Sequence, residues 1–404
     1  MNFIDFNFTS DLQQGLDAMG FNNPTPIQEQ AIPVILSGKD LIACAQTGTG
    51  KTAAYLLPVI HKLVEQKASL DTFKCLIIVP TRELAMQIDQ QVEAFTYFCQ
   101  LSSISVYGGG EGVLWDIQKK ALTEGVEIVI ATPGRLIAHL AMGYIDTSNV
   151  QYLILDEADR MLDMGFHDDI VQIISYLPKE RQTLLFSATM PEKIRALAKK
   201  IMGDAPEQIS LAISKPAEGI VQAAYFVEDH FKIGLIKELL KEKKNINAII
   251  FSSKKNTVRI IERELLKLGF DVASIHSDLE QKQREQALLD FRNRKLQILV
   301  GTDVVARGID IAGIGLVLNY DVPPDAEDYI HRIGRTARAE TTGVALTFVN
   351  RADRHKFRQI ETFLEKQVFK IPVPKHFSTG EEVVDEEHAE PKKKFFKKRW
   401  FKKK

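Results

Sequence analysis

Two short stretches hold the residues best suited to chemistry. The first, "AQTGTGKT" at residues 45–52, matches G-x-x-x-x-G-K-S/T except at its first glycine, where Ala45 stands. Gly48 and Gly50 let the backbone fold tightly, so the N–H groups of Gln46, Thr47, Gly48, Thr49 and Gly50 can turn toward phosphates. A helix starting just after them would add a favourable dipole. Lys51 can reach β- and γ-phosphates, and the Thr52 hydroxyl can ligate Mg²⁺. The second stretch is "YLILDEAD" at residues 152–159, where four apolar residues end in the carboxylates Asp156 and Glu157. Asp156 is placed to hold Mg²⁺ through water, and Glu157 to orient and deprotonate an attacking water. Phosphoryl transfer asks mainly for such positioning and charge neutralisation. The carboxylate pair alone is weak support; together with the glycine-rich loop about 100 residues upstream it is strong.

These groups need rigid elements behind them. "DLIACA", "CLIIVP", "VEIVIAT", "YLILDEAD" and "QTLLFSAT" each read as a buried strand, and stretches of helical period such as "TRELAMQIDQQVEAF" separate them. Alternation of this kind predicts an α/β fold with mostly parallel sheets covered on both faces. The pattern weakens at residues 211–220, where Pro216 and Gly219 interrupt it. It restarts with "NAIIFSS", "DVASIHS", "LQILVGTD", "IGLVLNYD" and "VALTFVN". The reading is two tandem domains, 1–211 and 221–372, joined by a linker at 212–220 and followed by a disordered tail at 373–404. The last regular helix is expected around residues 351–365. The proline- and acid-rich segment after it is expected to have no core of its own.

The chain has 404 residues and a formal net charge of −1, a total that hides an asymmetry. The last fourteen residues, "PKKKFFKKRWFKKK", hold nine Lys or Arg, four aromatics and no acid. Residues 1–390 hold the remaining 43 basic residues against 53 acids, a net −10. Such a split suggests an interaction arm on an acidic body. Cys44, Cys75 and Cys99 lack C-x-x-C spacing and read as free thiols in a reducing compartment. The N-terminus has no basic n-region, and no apolar run reaches the roughly 18 residues of a membrane span. A soluble cytoplasmic protein is expected.

The whole set of motifs resembles the DEAD-box RNA helicases of superfamily 2, in a compact, bacterial-type form. "DEAD" at residues 156–159 carries the name, and Ala45 in place of glycine is that family's usual form. The resemblance covers roughly residues 3–350, with the motifs in order. It implies two RecA-like domains, ATP and Mg²⁺ as cofactors, and RNA-stimulated hydrolysis of ATP to ADP and phosphate. "GFNNPTPIQ" is similar to the family's adenine-selecting motif. There Gln28 would pair with the adenine edge, Phe21 would stack on the ring, and Phe3 would match the upstream aromatic. Arg82 in "PTRELA", Gly108 and Gly109, and Thr132 and Arg135 in "TPGR" match segments that grip the RNA backbone. Ser187 and Thr189 of "SAT", with Asp159, resemble the element that couples hydrolysis to strand separation.

In the second domain the resemblance assigns Gln281, Arg284 and Thr302 to RNA, and Arg307 to RNA or the interdomain cleft. It assigns Asp310 to the ribose of ATP, His331 to coupling, and Arg335 and Arg338 to the γ-phosphate. Arg338 is the better arginine-finger candidate. Ala337 and Ser277 depart from frequent glycines without removing a catalytic group. The expected partner is RNA, as a single strand or short duplex with little base specificity. The expected state is a monomer with no membrane association. By analogy, ribosome-assembly or RNA-turnover proteins are partner candidates. An RNA clamp that only locks on, and a DNA helicase or another P-loop enzyme, remain as alternatives. The aromatics of the tail follow neither helical nor strand period, so the tail reads as a disordered RNA-tethering arm.

Overall fold

The computed structural model describes residues 2–45, 48–66, 73–109, 112–203, 205–211, 219–241, 246–276, 278–302, 314–324, 326–336 and 343–377. Seven strands make the first sheet: β1 (Leu41–Cys44), β2 (Cys75–Ile78), β3 (Ser103–Val106), β4 (Ile128–Ala131), β5 (Tyr152–Leu155), β6 (Gln182–Ser187) and β7 (Glu207–Ser210). Their order is β3-β4-β2-β5-β6-β1-β7, and every pairing is parallel. The central strands are apolar throughout because helices cover both faces. Alternate residues serve alternate faces: Tyr152 and Ile154 of β5 join one core, Leu153 and Leu155 the other. Truncating fully buried Ile154 to Ala should cost about 2–5 kcal/mol.

The second sheet contains β8 (Ile220–Phe226), β9 (Ala248–Phe251), β10 (Val272–Ile275), β11 (Ile298–Gly301), β12 (Leu316–Asn319), β13 (Gly343–Val349) and β14 (Phe369–Ile371). Its order is β10-β11-β9-β12-β13-β8-β14, again all parallel. Taken in chain order, this is the order of the first sheet repeated. The expected α/β architecture of two mostly parallel sheets flanked by helices is thus present.

Four strands were not foreseen: β3, β7, β8 and β14. Three of them are sheet edges, and all but one side chain in β3 and in β7, and every side chain in β14, are half-buried or exposed, so they lack a continuous apolar run. β8 lies one strand in from the edge and mixes Gln222 with alanines.

The segment after the last helix (Arg354–Leu364) corrects a second expectation. Residues 373–377 were assigned to a coreless tail, yet Val373 and Phe377 pack on the core of the second domain. Phe377 sits against Gly234, in the helix Asp229–Leu240, where an added Cβ would lie 2.6 Å from the Phe377 ring. A glycine inside a helix costs up to about 1 kcal/mol; here it is what lets the ring in. His376 Nε2 adds a 2.7 Å contact to Glu238 Oε2 on the same helix. Residues 378–404, with the basic-aromatic stretch, and residues 212–218 of the expected linker lie outside the described residues.

Candidate nucleotide and RNA site

The sheet order divides the carboxyl edge of the first domain in two. β5, β6 and β1 are neighbours, so the segments following them, "DEAD", "SAT" and "AQTGTGKT", converge. β3, β4 and β2 are neighbours on the other half, and they deliver Gly108 and Gly109, Thr132 and Arg135, and Arg82.

On the first half, Gly50 caps the helix Lys51–Glu65 in the left-handed region at φ 92°, and Gly48 is left-handed at φ 85°. Lys51 is buried and donates from Nζ to the Ala45 carbonyl at 2.5 Å. Lys51, Thr52, Asp156 and Glu157 line one cavity of about 340 Å³, with Gln28 and Phe21 on its wall and Arg335 of the second domain. Arg335 is 5% exposed and donates from Nε to the His331 carbonyl at 3.2 Å. Gln46, Thr47, Arg307, Asp310, Arg338, Ser277 and Ala337 lie outside the described residues.

Gln28 is held at both ends of its amide. Its Oε1 accepts from the Thr25 N–H at 2.8 Å, and its Nε2 donates to the Gly50 carbonyl at 3.1 Å. One lone pair and one N–H of the amide are left over, and the side chain is tied directly to the glycine that caps the helix Lys51–Glu65. Phe21 lies on the cavity wall, edge-on to Phe95 at 5.4 Å. Phe3 does not line the cavity; it is 1% exposed and packs behind Phe21 at 5.8 Å. The structure corrects its expected contact with ATP to a backing one.

Asp156 is buried, and this pushes its pKa up to about 6 despite the countering charge of Lys51; Glu157 pushes it up further. Oδ1 accepts from the Glu157 N–H at 2.9 Å, and Oδ2 accepts from the Tyr55 hydroxyl at 2.9 Å. Glu157 holds a left-handed backbone, φ 51° and ψ 48°, unusual for a residue with a Cβ. Its Oε2 pairs with Arg160 Nη1 at 3.1 Å. Asp159 Oδ2 accepts from the Ala188 N–H at 3.1 Å, the Thr189 N–H at 2.9 Å and the Thr189 hydroxyl at 3.0 Å. Asp159 N–H donates to Ser187 Oγ at 3.3 Å. The expected coupling residues of the first domain are therefore one hydrogen-bonded unit.

The donor set suits Mg²⁺. Among the described residues no cluster of three or more His, Cys, Asp or Glu could hold a metal alone. A hydroxyl and one carboxylate beside a phosphate-sized cavity is the sparse protein contribution that Mg²⁺ accepts when phosphates and waters supply the rest.

On the other half, Gly109 makes room for Arg82, and Gly108 lies in ordinary contact range of it. A Cβ at Gly109 would lie 1.9 Å from its Nη1, and at Gly108 3.8 Å from its Nη2. Arg135 is held by residues that sequence alone did not single out. Its Nε donates to Gln118 Oε1 at 2.8 Å, and its guanidinium lies 4.4 Å from the Trp115 ring. Trp115 stacks on His139 at 3.8 Å, and burial lowers the His139 pKa to about 4, so the imidazole is neutral at physiological pH. No local sequence signal could have flagged Trp115 or Gln118, because both act across elements. Thr132 precedes the helix Pro133–Ala141. Across the cleft, Gln281 opens the helix Gln281–Arg292, and Thr302 follows β11. Arg284 Nη1 pairs with Glu83 Oε1 at 3.1 Å, bridging the two domains beside Arg82.

Comparison with known proteins fits this geometry. The family model of the DEAD/DEAH box helicases matches residues 25–197, and that of the helicase conserved C-terminal domain matches residues 232–340. The ATP-dependent RNA helicase CshA of Listeria monocytogenes is 41% identical over 92% of this chain and 70% of its own length. The chain belongs to the DEAD-box helicase family. Among solved structures, Dbp5 of Saccharomyces cerevisiae bound to RNA and ADP BeF3 superposes with a TM-score of 0.80. It is 30% identical, over 92% of this chain and 95% of Dbp5. A variant of the same protein bound to Nup159, Gle1, IP6 and ADP gives 0.64, at 29% identity over 91% and 96% of the two chains. The family's tandem RecA-like domains are the two sheets described above.

Proposed function

We infer that the chain is an ATP-dependent RNA helicase whose domains, 1–211 and 221–372, close together on ATP and RNA. One observation supports this most: Arg335, from the second domain, shares a cavity wall with Lys51, Thr52 and Glu157 of the first. Lys51 holds the β- and γ-phosphates, and the amides around Gly48 and Gly50 cradle them. Thr52 and Asp156 hold Mg²⁺, which neutralises phosphate charge when bound. Glu157 orients the attacking water and takes its proton. Arg335 meets the charge growing on the γ-phosphate, with Arg338 as a second arginine from the same motif. Gln28 and Phe21 read adenine, and Asp310 the ribose.

RNA lies across the other half of the same edge, on Arg82, Gly108, Gly109, Thr132 and Arg135, and on Gln281, Arg284 and Thr302 opposite. These are backbone-gripping residues, so base specificity is low, and 2′-hydroxyl contacts favour RNA over DNA. Both ligands need closure, so each strengthens the other's binding. A strand bent across both domains leaves its duplex, and Asp159, Ser187, Thr189, Arg307 and His331 pass the state of the ATP site to the RNA side. The protein works as a monomer in the cytoplasm, with the basic-aromatic stretch 391–404 as an auxiliary RNA tether. Proteins of ribosome assembly or RNA turnover are the candidate partners.

Unwinding of a short RNA duplex with ATP tests the reading. Strand release that needs ATP and Glu157 supports it, and a DNA duplex opened equally well opposes it. RNA-stimulated ATPase with tight binding and no strand release would favour the clamp.

A further inference from the structure

Tyr55 is among the largest fully buried side chains, and its phenol oxygen ends at the metal side of the ATP cavity. It lies three residues beyond Thr52 and four beyond Lys51 on the helix Lys51–Glu65, hence on the face they share. Its ring packs on Phe186 of β6 at 5.1 Å, which leaves the hydroxyl little freedom. That hydroxyl carries one proton and donates it to Asp156 Oδ2 at 2.9 Å.

The consequence concerns the carboxylate. It can offer a lone pair to a metal reproducibly only if its other lone pairs are held. We propose that Tyr55 is a positioning residue for Mg²⁺: it anchors Oδ2 of Asp156, so the carboxylate keeps one orientation toward the ion. This rests on the assignment of Thr52 and Asp156 as the metal side of the ATP site. Without the phenol oxygen, Asp156 keeps the Glu157 N–H as its remaining anchor among the described contacts. Groups behind a metal's own ligands commonly set affinity by about 10- to 100-fold.

Tyr55→Phe in the full chain removes one oxygen and keeps the ring. Binding of a fluorescent ADP analogue is titrated in EDTA and against MgCl₂. The expected result is unchanged affinity in EDTA and a Mg²⁺ half-point raised about ten-fold, with RNA binding intact. A half-point equal to wild type, in a variant that melts normally, overturns the proposal. Asp156→Asn runs in parallel. If it shifts the Mg²⁺ half-point and Tyr55→Phe does not, Tyr55 has no positioning role. If neither shifts it, the metal assignment itself fails. Should Tyr55→Phe not fold, Tyr55→Leu is measured in the same way, and the same two outcomes decide.

Discussion

The two sheets share one strand order and carry a lysine and an aspartate at corresponding places, yet one pair faces a cavity and the other is tied up in ion pairs at a fully buried lysine. In the first domain Lys51 and Asp156 line the ATP cavity. In the second, Lys232 follows β8 as Lys51 follows β1, and Asp321 follows β12 as Asp156 follows β5. Lys232 is fully buried, 2.8 Å from Asp229 and 3.4 Å from Asp321. Asp321 accepts in addition from the Ser252 hydroxyl at 2.7 Å and the Ser253 N–H at 2.9 Å. The cause is the preceding loop. Six residues separate β1 from its helix and include two left-handed glycines; two residues separate β8 from its helix. A two-residue connection has no slack to fold around a phosphate. The same charges that serve ligand binding in one domain become internal ion pairs in the other.

This contrast can be broken from either side. Glu157→Gln should lose about 10²- to 10⁴-fold in RNA-stimulated ATPase while retaining ATP and RNA binding; turnover at the wild-type rate would remove Glu157 as the base. Lys232→Met should leave nucleotide binding alone and destabilise the second domain by roughly 3 kcal/mol, the low end for a broken buried pair, because Asp321 keeps some solvent contact. Urea unfolding followed by a second-domain probe measures it, and an unchanged midpoint would mean that Lys232 is spectator charge.

The acid of the first pair gives a pH signature. In the fold Asp156 keeps its proton up to about pH 6, against a usual value of 3.8. The native state therefore binds the extra proton, and stability falls as pH rises through that window. Asp156→Asn should raise the melting temperature of the protein in EDTA at pH 7 and change it little near pH 4. Equal shifts at both pH values would mean that its ionisation is not what costs stability. The smallest effect is expected between the domains. Glu83→Gln leaves Arg284 available to RNA but removes their ion pair, so ATP–RNA coupling should weaken by about five-fold, near 1 kcal/mol. Identical ATP affinity with and without RNA in both proteins would deny the pair any part in closure.

Much of this was legible in the sequence, for physical reasons that also mark the limit. Central strands such as β5 are buried on both faces, so "YLIL" announces itself; β7, with only Ile209 buried, does not. The nucleotide motifs were readable because phosphate binding fixes glycine and lysine at set spacing. The residues that orient them were not. Tyr55, Gln118 and Trp115 act through packing and hydrogen bonds across elements, and no local pattern separates them from ordinary core or surface positions. Phe3 shows the reverse case: its spacing was right, and its depth placed it behind the aromatic that meets the cavity.

The seat of Phe377 on Gly234 has a mechanical consequence. The chain is clasped to the helix Asp229–Leu240 at its last described residue, so a pull applied there is delivered to that helix before it reaches β14 at the sheet edge.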